Sequence, residues 1–230
     1  SHPALEASAA VFHQRYSTNT MPHWRLAQPF RLLAHNGEIN TIKANRNWAT
    51  ARAGKYKSKL VDFSDLGELV TSTGSDSQSL DNMLEVLVAG GLDVLLAMRV
   101  LIPPAWSSRE DLDEDLEAFY EYYALHSEPW DGPAGIVLCD GRHAACALDR
   151  NGLRPARWAR SDDNHLIVAS EAGLWDVPDS RIVAKGRLGP GEMIAVDLVE
   201  HRLLDSAAID AVNRARAPYK KWLREKLNYL

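Results

Sequence analysis

Arg15 is the first residue whose type and setting could do chemistry. It lies in residues 11–16, where apolar and polar residues nearly alternate, and that pattern predicts a half-buried strand. From a strand end, a planar guanidinium can grip a carboxylate through two parallel hydrogen bonds, which a lysine cannot imitate. The pattern is equally typical of an outward-facing arginine that enters a polar turn, so the sequence leaves both interpretations open.

Asn36 and Gly37 form the dipeptide that most often makes a β-hairpin turn, and a structural turn is the first interpretation. The pair could also supply an oxyanion hole. An asparagine side-chain amide and the next backbone N–H can converge on a carbonyl oxygen as that oxygen gains negative charge. In a known protease, the loss of one such donor costs about 2.7–4 kcal/mol of transition-state stabilisation.

Asp76 stands at the start of an apolar series with helical spacing, and Ser75 and Gln78 have the spacing of a capping box. An acidic residue in the first turn of a helix interacts favourably with the helix dipole, which is the structural interpretation. The functional interpretation is a carboxylate aimed at the ammonium group of a ligand. The residue by itself does not decide between them.

The two cysteines, Cys139 and Cys146, lie in apolar segments where small buried side chains are expected. With His143 between them they would offer three metal ligands, whereas a structural zinc site uses four. We therefore predict no metal site in this chain. Two cysteines also exclude a disulfide-dense secreted scaffold and fit a reducing compartment, so we expect a cytoplasmic protein.

The composition limits the classes of partner. The 230 residues carry 26 basic and 31 acidic side chains, a net charge of −5, and 46% of them are hydrophobic. An acidic balance argues against nucleic acid as a partner. No apolar stretch approaches the ~20 residues of a membrane span, so we expect no membrane association.

The elements that must position these residues follow from periodicity. Strands and helices occur in blocks, which predicts an α+β fold with antiparallel sheets. Helices are predicted over residues 41–52, after Ser75, and over 93–101 and 110–125, with a helical tail from 205. Strands are predicted over 11–16, 30–34, 134–139, 143–148, 156–159, 166–169, 193–198 and 202–204.

The motifs above, taken in their order along the chain, resemble those of one protein family. The series HQRYSTN, LAHNGEIN and GSDSQ, at residues 13–19, 33–40 and 74–78, resembles class II glutamine amidotransferase domains, which are N-terminal-nucleophile hydrolases. Within that family the chain is most similar to the large subunit of glutamate synthase. Further stretches carry this similarity: ALDRNGLRP at 147–155, ASEAG at 169–173, KGRLGPG at 185–191 and APYKKWL at 217–223.

The resemblance implies a four-layer αββα sandwich of antiparallel sheets, incomplete here, that hydrolyses glutamine to glutamate and ammonia. It implies that Arg15 holds the substrate α-carboxylate and that Asp76, helped by the Gly37 backbone, holds the α-ammonium. Asn36 and Gly37 would form the oxyanion hole. Thr18 and Glu38 would shape the pocket walls.

The nucleophile departs from the family pattern. Family members use a cysteine at the mature amino terminus, whose own α-amino group is the base. Here the first residue is Ser1, and neither cysteine is terminal. We therefore interpret residues 1–204 as a partial amidotransferase domain that lacks its nucleophile and is inactive alone. We interpret residues 205–230 as a helical connector toward the next domain of a parent protein.

The resemblance also implies partners. The ligand would be L-glutamine, and the ammonia would pass to a synthase domain of the same polypeptide, with FMN and an iron–sulfur cluster there and no cofactor in this fragment. An electron-donating small subunit is a further expected partner. Two alternatives stay open: another class II amidotransferase, of phosphoribosyl, glucosamine phosphate or asparagine type, or a non-catalytic glutamine- or glutamate-binding module.

Overall fold

The computed structural model describes residues 2, 4–14 and 21–227. The α-helices of this part are α1 Ile42–Arg52, α2 Asp76–Ala89, α3 Val94–Leu101, α4 Glu114–Ala124, α5 Ser206–Arg214 and α6 Tyr219–Lys226. Its strands are β1 Leu33–Gly37, β2 Ala134–Cys139, β3 His143–Leu148, β4 Arg157–Ser161, β5 Leu166–Ala169, β6 Ile182–Arg187, β7 Met193–Asp197 and β8 Arg202–Leu204. Short 3₁₀ turns occur at Trp24–Leu26, Ala53–Lys55, Trp106–Ser108 and Asp179–Arg181.

The larger sheet has five antiparallel strands in the order β1-β2-β3-β7-β8, which places β1 at an edge. Side chains alternate between its two faces. Ile136 and Leu138 point to one face, where they join the main core with α2 and α3. Val137 points to the other face. The sheet is therefore buried on both sides.

The smaller sheet has three antiparallel strands in the order β5-β4-β6. Trp158 and Val168 of this sheet pack on Cys146, Leu148 and Ile194 of the larger one. The two sheets therefore face each other.

These contacts confirm the α+β class with antiparallel sheets. In the described residues they give a helix layer, the larger sheet and the smaller sheet in that order.

Two helices after β8 pack on the same body. Arg99 of α3, with its side chain 2% exposed, pairs with Asp210 of α5 at 2.9 Å from Nε to Oδ1. Its Nη1 donates to the Gly191 carbonyl at 2.6 Å, and its Nη2 donates to Ser206 Oγ at 2.9 Å. Tyr219 of α6 lies edge-on to Phe119 of α4. The tail is thus attached to α3, α4 and the turn before β7.

Most predicted elements are confirmed. β2, β3, β5 and β8 have the predicted bounds, and Ser75 caps α2 by accepting the Gln78 N–H at 3.1 Å. The strand predicted over 11–16 is wrong for residues 11–14, which do not form a strand, and residues 15–16 lie outside the described residues. β6 was not predicted, because the pattern around Gly186 does not show that the Trp158 ring covers that glycine.

The strand predicted over 30–34 begins only at Leu33 and runs to Gly37, so residues 30–32 are not strand and the hairpin-turn interpretation of Asn36 and Gly37 is wrong. Gly37 lies opposite Ala134 inside the ladder. No helix among the described residues is long and apolar enough to cross a membrane.

Candidate active site

The outer edge of β1 is the starting point of the site. Alternate N–H groups of an antiparallel edge strand point away from its partner. The Leu33 N–H donates to Asp81 Oδ1 at 3.0 Å, and the His35 N–H donates to Gln28 Oε1 at 2.6 Å. Two positions past the strand end, the Ile39 N–H donates to Asp76 Oδ2 at 2.8 Å. Side chains therefore accept hydrogen bonds from the N–H groups of Leu33, His35 and Ile39.

The Gly37 N–H lies in the same row, between those of His35 and Ile39. The next N–H, that of Glu38, points the other way and donates to the Pro133 carbonyl at 2.9 Å. Gly37 has φ +144°, and a Cβ at this position would lie 1.8 Å from the Pro133 oxygen. Only glycine fits where the chain approaches Pro133 so closely, and this conformation leaves its N–H on the open edge.

Asn36 precedes this donor. Since Leu33 and His35 point to the helix face, alternation directs the Asn36 side chain to the opposite face, toward the smaller sheet. The residue is exposed and lies opposite Gly135. Within the part of the chain that the structure describes, neither the Asn36 side-chain amide nor the Gly37 N–H has a hydrogen-bond partner, and such a pair of neighbouring donors matches what an oxyanion hole requires.

Asp76 is the first residue of α2, so it also meets the helix dipole. Its side chain is 23% exposed, which leaves a carboxylate edge open to a ligand. Arg46 of α1 holds the backbone just before Asp76 against α2, because its Nη2 donates to the Gly74 carbonyl at 2.6 Å and to Ser79 Oγ at 2.9 Å. The structural interpretation of Asp76 is therefore confirmed by its place in the first turn of α2, and its role toward a ligand stays a prediction.

His35 and Ser77 lie beneath Asp76 and were missed in the sequence. His35 Nδ1 lies 2.8 Å from Ser77 Oγ and 4.0 Å from Asp76 Oδ2. Burial lowers the pKa of His35 to about 4, although the nearby Asp76 carboxylate acts to raise it. The LAHNGEIN stretch contains this histidine, but its partner lies 42 positions away, and no local signal pairs them.

The remaining predicted residues are placed as follows. Glu38 is exposed and adjoins Gly37, so it can border a ligand. Arg15 and Thr18 lie outside the described residues. Arg154 was not singled out; its Cβ lies next to Gly135, on the sheet face toward which Asn36 points.

Neither cysteine lies at this site. Cys139 ends β2 five residues beyond Ala134, the partner of Gly37, which is a separation of about 17 Å at ~3.4 Å per residue. Cys146 is buried in β3, and burial raises the pKa of its thiol to about 12. The described residues contain no group of three or more His, Cys, Asp or Glu side chains that could hold a metal ion.

Thiol labelling checks this placement. At pH 8 the thiolate fraction of Cys146 is about 1,000-fold below that of an ordinary thiol, because its pKa is raised from 9.0 to about 12. We expect iodoacetamide to modify the half-exposed Cys139 and to spare Cys146 in the folded protein, as read by mass spectrometry of peptides. Both should react in guanidinium chloride. Fast labelling of Cys146 in the folded protein would contradict the structure.

Comparison with known proteins gives consistent results. The family model described as glutamine amidotransferases class-II matches residues 1–222. The chain is 44% identical over 228 residues to ferredoxin-dependent glutamate synthase 2 of Synechocystis, covering 97% of this chain and 15% of that protein. It is 44% identical over 221 residues to the NADH glutamate synthase of Schizosaccharomyces pombe, covering 95% and 10%.

The chain therefore spans only about a seventh or less of the length of these relatives. Among solved structures, the glutamine phosphoribosylpyrophosphate amidotransferase of B. subtilis is 19% identical. That match covers 84% of this chain and 33% of that chain, with a TM-score of 0.45.

Proposed function

The chain belongs to the class-II glutamine amidotransferases, and we propose from this premise that it forms the glutamine-hydrolysing, ammonia-producing domain of a glutamate synthase. Such an enzyme makes L-glutamate from L-glutamine and 2-oxoglutarate. The observation that carries the proposal is the row of groups along the β1 edge, where the Gly37 N–H, which has no partner among the described residues, is followed by the Asp76 carboxylate.

The spacing of this row suits glutamine. The N–H groups of Gly37 and Ile39 are two residues apart, about 7 Å along an extended chain. The Asp76 carboxylate accepts a hydrogen bond from the Ile39 N–H. The α-nitrogen and the amide oxygen of glutamine are separated by five bonds, about 6 Å when extended. Asp76 would bind the α-ammonium, while the Gly37 N–H and the Asn36 amide would receive the amide oxygen as it becomes an oxyanion.

The other predicted roles complete this proposal. Arg15 would bind the α-carboxylate as a bidentate partner, so that opposite charges recognise the two ends of the amino-acid group. Thr18 and Glu38 would form pocket walls. Because neither Cys139 nor Cys146 lies beside Gly37, we propose that the 230-residue chain alone hydrolyses no glutamine.

Calorimetry tests the binding half of the proposal. We expect L-glutamine and L-glutamate to bind to the 230-residue protein and Asp76→Asn to weaken both about 10- to 100-fold, because a charge-assisted hydrogen bond of about 1.5–3 kcal/mol is lost. Asp62→Asn, in an exposed loop, is the matched control and should bind as the parent does.

Ammonia release tests the other half. We expect none above background from the 230-residue protein. Release above that of an Arg15→Ala variant would refute the proposed inactivity, and equal binding by the parent and Asp76→Asn would refute the site.

The organisation of the whole enzyme is part of the proposal. Residues 1–204 would be the amidotransferase unit, and 205–230 would lead toward a synthase domain. FMN and an iron–sulfur cluster would lie in other domains, since the two cysteines here do not fit a four-cysteine cluster site. An electron-donating small subunit and a cytoplasmic location complete it. Glutamate formation from glutamine and 2-oxoglutarate by the full-length protein, with each electron donor, is the test.

A further inference from the structure

We infer that His35 is a positioning residue that, through Ser77, orients the Asp76 carboxylate and leaves its negative charge available to a ligand ammonium group. This inference rests on the proposed function and deepens it. His35 is 3% exposed and points into the helix face of β1, where its ring contacts Ser77 of α2.

The geometry fixes both oxygens of the carboxylate. Asp76 Oδ2 accepts the Ile39 N–H at 2.8 Å, and Asp76 Oδ1 accepts from Ser77 Oγ at 3.4 Å. Ser77 Oγ in turn lies 2.8 Å from His35 Nδ1. One end of this chain of contacts is buried, and the other end reaches the partly exposed Asp76.

The direction of each hydrogen bond follows from the chemistry of the groups. An ionised carboxylate only accepts, so the Ser77 hydroxyl donates to Asp76. That hydroxyl has one proton, and when this proton goes to Asp76 the oxygen accepts from His35, whose Nδ1 then carries a hydrogen. The neutral tautomer then leaves Nε2 as a bare lone pair. Nε2 is buried and has no hydrogen-bond partner among the residues that the structure describes, which is consistent with an atom that has no proton to place.

The charge of His35 decides what Asp76 offers to a ligand. An imidazolium 4.0 Å from Asp76 Oδ2 would form an internal ion pair and compete with a ligand cation. Burial opposes that charge most strongly, Arg154 and His13 oppose it further, and Asp76 and Asp149 favour it. The pKa of His35 falls to about 4 as a result, so the imidazole is neutral near pH 7. Among the described residues, no lysine or arginine forms an ion pair with Asp76.

Ligand discrimination tests the inference. L-glutamate and glutarate differ in the α-ammonium group, so the ratio of their dissociation constants measures what Asp76 contributes. We expect the parent to prefer L-glutamate at least 10-fold. His35→Leu should lose most of that preference while glutarate binding changes less than about twofold, because the loss concerns the ammonium subsite alone.

Two variants separate positioning from a merely structural role. His35→Asn retains a donor near the position of Nδ1 and should keep most of the preference, and His165→Leu, at an exposed histidine, should change nothing. Equal weakening of L-glutamate and glutarate by His35→Leu would show a general packing role and overturn the inference, as would an unchanged preference.

If neither compound binds to the parent, the proposed function is refuted, and a measurement without ligand still tests the inference. Nitrogen-15 NMR of the His35 ring should show a protonated Nδ1 and a bare Nε2 at pH 7, and Ser77→Ala should shift the Nδ1 resonance. A ring protonated on Nε2, or on both nitrogens, at pH 7 would overturn the inference.

Discussion

Replacing Gly37 with alanine is expected to lower the free energy of unfolding by at least about 4 kcal/mol and to abolish L-glutamate binding. The new Cβ would lie 1.8 Å from the Pro133 oxygen and 2.8 Å from its carbon, both of them backbone atoms that cannot rotate away. The positive φ adds about 1–3 kcal/mol of strain for any residue with a side chain. Denaturant unfolding followed by circular dichroism measures the first effect, and calorimetry the second.

Gly141→Ala is the matched control for this prediction. Gly141 also has a positive φ, +92°, but a Cβ there would meet no atom within 4 Å. Gly141→Ala should therefore lower the free energy of unfolding only by the cost of the backbone conformation, about 1–3 kcal/mol, and should retain ligand binding. If Gly37→Ala were as mild as Gly141→Ala, the close approach to Pro133 would not be a constraint on this strand.

Replacing Arg99 with methionine is expected to lower the free energy of unfolding by about 3–5 kcal/mol, because it leaves Asp210 without its buried cation. The same change removes the donors to Ser206 Oγ and the Gly191 carbonyl. Burial raises the pKa of the Asp210 carboxyl, with Arg99 acting against that shift. Thermal and denaturant unfolding at pH 7 would measure the loss.

The double variant Arg99→Met with Asp210→Leu provides the internal test. With both charges removed, no buried charge is left uncompensated, so the double variant should be more stable than Arg99→Met. Arg181→Met, which breaks an exposed pair with Asp162, should cost no more than about 1 kcal/mol. Equal losses for Arg99→Met and Arg181→Met would mean that the buried network contributes little.

Local signals in the sequence were sufficient for much of the fold. Alternation predicted β2 and β3 with correct bounds, and the capping residues predicted the start of α2. β6 contains a glycine, Gly186, that lies against a tryptophan ring from β4, and this contact joins residues 28 positions apart, which a local pattern does not reveal. Periodicity describes only one element at a time and cannot detect such contacts.

In the candidate site, too, local signals identified some residues and missed those that depend on distant contacts. Asn36 and Gly37 were identified as candidate donors, but the turn preference of that dipeptide competed with its true place in β1. The sequence does not show that Gly37 pairs with Ala134 inside the sheet, nor that the Pro133 carbonyl lies so close to Gly37 that a Cβ would not fit. Asp76 was identified as well, whereas His35 and Arg46 were not, since their roles depend on partners in α2.

The side chains that occupy the β1 edge also bear on solubility. An edge strand with a free row of donors and acceptors can pair with a strand of another molecule, and this is a common route to aggregation. Here Asp81 and Gln28 accept from alternate N–H groups of β1, and Asp76 accepts from the Ile39 N–H two positions past the strand end. A foreign strand would find these donors occupied and a carboxylate at each end of the row. The arrangement that leaves only the Gly37 N–H of this row open among the described residues thus also makes the edge a poor template for intermolecular β-sheet growth.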